Sequence, residues 1–182
     1  MSGSIPTGTQ LASAIEAAAE IAINRLFKDH PGRYYYLSLV TLGEASPPFL
    51  SAWSEEALEQ AVKDQPNNRR YLKWSCSDSL FCFFGEEFFE DVRRLFAMRP
   101  DIFALDEAAW CAEYETRLLA MEAAMFNLDS RGIFGVGADR SKIVVTVEVV
   151  PPDYTNTARA RRLNPPEAIR TWLEEAAEPE SP

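Results

Sequence analysis

Histidine occurs once in this chain, at His30, and cysteine three times, at Cys76, Cys82 and Cys111. A lone histidine leaves one candidate for any histidine-based acid–base pair. It sits in an Asp-His-Pro-Gly helix stop, where a side chain able to carry positive charge suits the helix C-terminus. Three scattered cysteines are not a disulfide framework, and the spacing of Cys76 and Cys82 matches no common zinc-ligand pattern. Neither a metal nor an organic cofactor is expected. The simplest reading of the thiols is as buried small hydrophobes in a reducing, cytoplasmic setting. Long apolar runs are missing as well: nothing approaches the ~20 residues of a membrane-spanning helix. The first ten residues hold no Lys or Arg, and the apolar stretch after them is broken by Glu16 and Glu20, which does not suit a secretory signal. Basic residues are the minority, 18 against 28 acidic, for a net charge of −10. That balance repels nucleic-acid phosphates and anionic membranes and favours basic partners, while also keeping a soluble protein dispersed.

Apolar side chains are present in quantity. Hydrophobic residues make up 47% and aromatics 12% of 182 residues, enough for one ordered domain with a sizeable core. Residues 1–8 read as a flexible N-terminus, 9–177 as a single domain and 178–182 as a frayed tail. Apolar residues Leu11, Ile15, Ala18, Ala22 and Leu26 recur at helical spacing and predict a helix over 10–29. Residues 33–42 are strand formers apolar on both faces, which suits a central strand, with 49–53 as its hairpin partner. Ser54 caps a short helix. Residues 70–75 read as a third strand ending in Trp74. A helix from about Gly85 turns Phe88, Phe89, Val92, Leu95 and Phe96 inward. The clearest segment is 106–150: a long helix with Trp110, Tyr114, Leu118, Met121, Met125 and Leu128 on one face, a stop at Gly132, and an apolar strand over 142–150. Asn164-Pro165-Pro166-Glu167 predicts a last helix start, with Asn164 as its cap. The expected fold is α+β, a small, mostly antiparallel sheet packed with about five helices.

Chemistry-bearing groups are sparse. Gly135-Val136-Gly137-Ala138-Asp139-Arg140 has the look of a phosphate loop, but it follows a helix and precedes a strand, the reverse of a dinucleotide site. It reads as a turn. Tyr34-Tyr35-Tyr36 and Phe81-Phe83-Phe84 read as core. Arg159, Arg161 and Arg162 form a basic cluster whose natural partners are nearby carboxylates. Carboxylates concentrate at Asp78, Glu86, Glu87, Glu90 and Asp91. As a solvated face these residues need no function; as a docking face they suit a basic protein; and a paired acid and base drawn from Asp78 and Glu87 would suit a hydrolase-like enzyme.

Four segments stand out together: Arg33-Tyr34-Tyr35-Tyr36-Leu37-Ser38-Leu39-Val40-Thr41, Lys73-Trp74-Ser75 followed by Asp78, Leu128-Asp129-Ser130-Arg131-Gly132-Ile133-Phe134-Gly135, and Ala160-Arg161-Arg162-Leu163-Asn164-Pro165. In order and spacing they resemble a bacterial family, the domain of unknown function 4303. The resemblance spans roughly 11–173 and carries over no catalytic residues. By analogy with families of this size and acidity found beside bacterial polymorphic toxins, it implies an immunity-like role. The expectation is therefore a non-catalytic cytoplasmic binding protein that neutralises a basic partner such as a toxin domain. The alternatives are the carboxylate enzyme and a housekeeping scaffold protein.

Overall fold

Thr7 and Gln10 start the first helix. The Thr7 hydroxyl accepts the Gln10 N–H at 3.2 Å and the Gln10 side chain accepts the Thr7 N–H at 2.8 Å, a reciprocal cap that opens α1 (Gly8–Asp29) two residues ahead of the sequence expectation. The computed structural model describes residues 4–63 and 66–180. Parts of the expected loose ends, 1–3 and 181–182, lie outside them.

The hairpin follows as expected. β1 (Tyr34–Leu42) pairs antiparallel with β2 (Phe49–Ser54). Ser54 Oγ then accepts the Ala57 N–H at 3.1 Å and caps α2 (Glu55–Ala61), with Glu55 and Glu56 in the first turn where the helix dipole favours anions. Residues 70–75 are not a third strand. They fall in a short helix α3 (Arg69–Leu72) and an irregular segment beyond it. Side chains of the sheet hold that segment: Tyr35 Oη donates to the Lys73 carbonyl, Trp53 Nε1 to Ser75 and Ser51 Oγ to Cys76, at 2.7–2.8 Å. The segment thus lies across a sheet face rather than along an edge, and its aromatic content, a weak strand signal, is overridden by tertiary contacts.

A 3₁₀ turn (Glu86–Phe89) leads into α4 (Glu90–Ala97), and Asp106 caps the long α5 (Glu107–Ser130) by accepting the Ala109 N–H at 2.9 Å. Gly132 follows with φ +77°, the left-handed conformation glycine adopts without penalty. A 3₁₀ turn at Arg140–Lys142 precedes β3 (Val144–Val150), so the strand starts two residues later than expected. β3 pairs parallel with β1, giving the order β2-β1-β3. The sheet is therefore mixed, one antiparallel and one parallel pair, rather than mostly antiparallel. The burial of Val144, Val145, Val147 and Val149 on both faces is what a parallel strand under helices requires.

Among the described residues there are seven α-helices, not five, in an α+β fold. The additional ones are α3 and α6 (Tyr154–Leu163); α7 (Pro166–Glu175) closes the chain. α6 escaped the periodicity test because its inward positions are polar. Asn156, Arg159 and Asn164 at its end turn toward β3 and bond the backbone of Val149, Val147 and Val145. Asn164 is consequently not the cap of α7; Pro165 takes that position without a side-chain cap.

Each sheet face has its own core. Leu37, Leu39, Val145 and Val147 pack under α1, α4 and α5, with Met121 and Met125 fully buried. Tyr36, Val40, Trp53 and Val144 pack under α2, α6 and α7, with Leu58, Ile169 and Trp172. No helix among the described residues is long and apolar enough to cross a membrane.

Candidate functional site

Polar groups interrupt the second face. The register sets Ser38 opposite Ser51 on one side and Thr146 on the other, so three fully buried hydroxyl residues cross the sheet in a row. Ser51 is satisfied by the Cys76 carbonyl. Among the described residues Ser38 Oγ and Thr146 Oγ1 have no hydrogen-bond partner, which costs about 1–3 kcal/mol for each such group. Next to Thr146 along β3 stands Glu148, only 8% exposed. Tyr36 Oη donates to its Oε1 at 2.7 Å, and its other oxygen accepts no hydrogen bond among the described residues.

Burial pushes the Glu148 carboxyl above its ordinary range; the Tyr36 hydrogen bond and the nearby Thr146 hydroxyl and Cys76 thiol oppose the shift without reversing it. Neither Thr146 nor Cys76 completes a well-formed hydrogen bond to the carboxyl. Burial, followed by the Glu148 charge, raises the Tyr36 phenol well above normal and pushes Cys76 up to about 12. Cys76 is therefore a thiol at neutral pH, not a nucleophile.

Glu148 is reached from a cleft of about 790 Å³. One wall is the 67–78 segment, with Arg70, Tyr71, Trp74, Cys76 and Asp78; the other is the end of α7 and the residues after it, with Glu175 and Glu178. Glu175 joins the walls. Its Oε2 accepts from Lys73 Nζ at 2.8 Å and from Trp74 Nε1 at 2.7 Å, and these two bonds hold its carboxyl below the usual range. The Lys73 ammonium lies 4.8 Å from the Trp74 ring centre. Trp74 in turn meets the Tyr36 ring edge-on at 5.9 Å, which connects the mouth of the cleft to the Tyr36–Glu148 pair.

The model of the family described as domain of unknown function (DUF4303) matches residues 15–165. The chain belongs to this family. No curated protein and no solved structure matches it. The DUF4303 match includes Tyr36, Trp74, Asp78 and Glu148, whereas α7 with Glu175 lies beyond it.

Of the five acidic residues singled out in this DUF4303 chain, only Asp78 lines the cleft, bonded to Ser75 Oγ at 2.5 Å. Glu86, Glu87, Glu90 and Asp91 are exposed along the 3₁₀ turn and the start of α4. Glu90 pairs with Arg93 at 2.8 Å and Asp91 with Arg94 at 2.5 Å, so that face is partly neutralised by its own helix. His30 is the C-cap of α1 and stacks near Phe81 and Phe84. Cys76 is buried, as read from the sequence, but Cys111 is exposed on the outer side of α5. The basic cluster divides: Arg162 pairs with Glu122, Arg161 is exposed, and Arg159 is buried against β3. Gly135 and Gly137 adopt positive φ in a helix-to-strand turn. Among the described residues, no group of three His, Cys, Asp or Glu could hold a metal ion. Sequence reasoning missed Glu148 and Tyr36. The available signal was a single carboxylate inside the apolar run 143–150, an expensive position for a charge without a purpose.

Proposed function

We propose that this DUF4303 protein is a non-catalytic, cytoplasmic bacterial binding protein that neutralises a basic partner, such as a toxin domain, in an immunity-like role. The observation that carries this reading is the acidic, aromatic-walled cleft. Asp78, Glu148, Glu175 and Glu178 line it against Arg70 alone among the lining cations, with Lys73 held at its mouth. Tyr71, 70% exposed, and Trp74 offer flat apolar surface beside those charges. Aromatic anchors next to carboxylates suit a surface rich in Arg and Lys, and the net charge of −10 steers such a partner inward.

The test is co-purification with the products of neighbouring genes, followed by rate measurements. A basic partner should associate fast at low salt and more slowly as salt rises. Reversing Asp78 and Glu178 to Lys should slow association while leaving the fold intact, because Asp78 is exposed and both side chains lie at the cleft rim. A captured partner indifferent to salt and to these reversals overturns the reading. The reversal Glu87→Lys with Glu90→Lys asks the same of the α4 face.

A carboxylate-enzyme reading has one observation in its favour: a raised carboxyl in a cleft is the usual form of a general acid. Against it, the Glu175 carboxylate is taken up by Lys73 and Trp74, Cys76 is a protonated thiol and His30 does not line the cleft.

A further inference from the structure

Glu148 is buried, accepts one well-formed hydrogen bond among the described residues, and lines a cleft where Glu175 and Trp74 already hold the Lys73 cation. We propose that one arginine side chain of the basic partner enters this cleft, lies against Trp74 and pairs its guanidinium with Glu148. The inference rests on the basic-partner reading and adds what the cleft recognises.

Three observations support an arginine there. First, among the described residues Glu148 accepts one well-formed hydrogen bond, from Tyr36, and its second oxygen can accept another. The Thr146 hydroxyl completes no well-formed hydrogen bond among the described residues, adjoins both Tyr36 and Glu148, and can turn to accept from the same guanidinium. A buried carboxyl and an unpartnered hydroxyl on adjoining positions are costs to the fold that a multivalent donor would relieve. Second, the mouth shows the chemistry in miniature. Lys73 places its ammonium over Trp74 and against Glu175, so an aromatic face and a carboxylate are already arranged around one cation. Third, the way inward from Trp74 is aromatic, through its edge contact with Tyr36. A guanidinium is planar, more weakly hydrated than an ammonium and stacks on aromatic faces, so it can pass from the mouth to Glu148 at lower desolvation cost than lysine.

Pairing needs Glu148 as the carboxylate. Burial favours its protonated form until a cation arrives; the proton then leaves to solvent and the guanidinium takes its place as the group satisfying the carboxyl.

The experiment titrates the full chain with two short Gly/Ser peptides, one holding a single arginine and the other a lysine at the same position. The readout is the NMR signal of the Trp74 indole N–H, which now donates to Glu175. The arginine peptide should shift that signal saturably in the millimolar range, and the lysine peptide clearly more weakly. Glu148→Gln, which keeps the side-chain shape and the Tyr36 contact, should weaken the arginine peptide about thirtyfold or more, as expected for loss of one member of a buried charge pair. Trp74→Leu, followed through the backbone amide signals of residues 70–78 because it removes the indole probe, gives a second, independent loss if the Gln variant folds poorly. Equal binding of the two peptides, binding unchanged by Glu148→Gln, or no binding by either peptide overturns the proposal. The two readings separate on the captured partner. Sensitivity to Asp78→Lys and Glu178→Lys with indifference to Glu148→Gln sinks the arginine pocket alone. Indifference to all of them sinks the basic-partner reading too.

Discussion

The side-chain amide of Asn164 stands in for a neighbouring strand at Val145. Its Oδ1 accepts the Val145 N–H at 2.8 Å and its Nδ2 donates to the Val145 carbonyl at 2.6 Å. Asn156 does the same for Val149, at 2.9 Å in both directions, and Arg159 Nε donates to the Val147 carbonyl between them at 3.0 Å. The outward backbone groups of β3 are thus occupied at alternate residues by three side chains from α6 and its end. An edge strand with free amides and carbonyls invites pairing with another chain, and here that edge is closed without a fourth strand.

Asn164→Ala should therefore be costly. It strands one N–H and one carbonyl in a buried setting, and each orphaned group costs about 1–3 kcal/mol. Urea midpoints would measure the loss. Asn164→Asp should also destabilise, because a carboxylate accepts the N–H but has no donor for the carbonyl. A midpoint unchanged by Asn164→Ala would show that the edge groups find other partners.

Glu148 should make stability fall as pH rises. Its folded-state pKa is raised above the ordinary 4.5, so the folded protein holds a proton that the unfolded chain releases. Its contribution is complete below the ordinary value and is lost as pH climbs through the raised one. The groups facing it are Tyr36, Thr146 and Cys76, and the positive charge of Arg159 also acts on it, opposing the rise. Glu148→Gln should flatten this part of the pH–stability curve, read from denaturation midpoints across the pH series. Parallel curves for parent and variant would exclude a buried, protonated Glu148.

Glu113 behaves in the opposite sense. Burial alone would raise its carboxyl, but hydrogen bonds from Arg99 and Arg117 outweigh that and hold it low. Arg117 Nε approaches it at 2.7 Å, and Arg99 forms a second ion pair; side-chain exposures are 5%, 8% and 11% for Glu113, Arg117 and Arg99. Its contribution is present above the ordinary carboxyl pKa and is lost as pH falls. Glu113→Gln should cost about 3–5 kcal/mol, since it leaves two largely buried guanidiniums without their counter-ion. Thermal unfolding at neutral pH is the check.

Gly132→Val should destabilise by about 1–2 kcal/mol, the cost of holding a side-chain-bearing residue in the left-handed region. Its φ is +77°, and an added Cβ would lie 3.1 Å from Val136 Cγ1, a side chain 73% exposed and free to move. The backbone, more than the clash, carries the penalty. Gly137→Val is a useful comparison, because its φ of +55° is also positive but nothing lies within 4 Å of the added atom. Similar losses at both positions would confirm the backbone origin.

Elements whose signal closes over a few turns of chain were legible from sequence. The faces of α1 and α5, the hairpin, the cap at Ser54 and the stop at Gly132 depend on neighbours three to five residues away, or on one apolar period. The run 143–150 could likewise be read as a strand from β-branched residues alone. Its pairing could not, because β1 and β3 are separated by most of the chain, and whether they lie parallel depends on how the intervening helices return across the sheet. The same holds for the segment at Trp74. Local propensity favoured a strand, while donors from Tyr35, Ser51 and Trp53, all distant in sequence, draw its carbonyls onto the sheet face. Asn164 offered a local role as a helix cap, but a buried strand edge, short of partners for two backbone groups, outcompeted it. The cleft follows the same logic. Net charge and an acidic surface are sums over residues and can be read without a fold. The meeting of Glu148 with Tyr36, 112 residues apart, comes only from the pairing of β1 with β3: the register sets Tyr36 beside Val144 and Glu148 beside Val40, and the two side chains reach along one sheet face to meet. The shift of the Glu148 carboxyl comes from the fold as well, because desolvation is a property of the packed surroundings rather than of the residue.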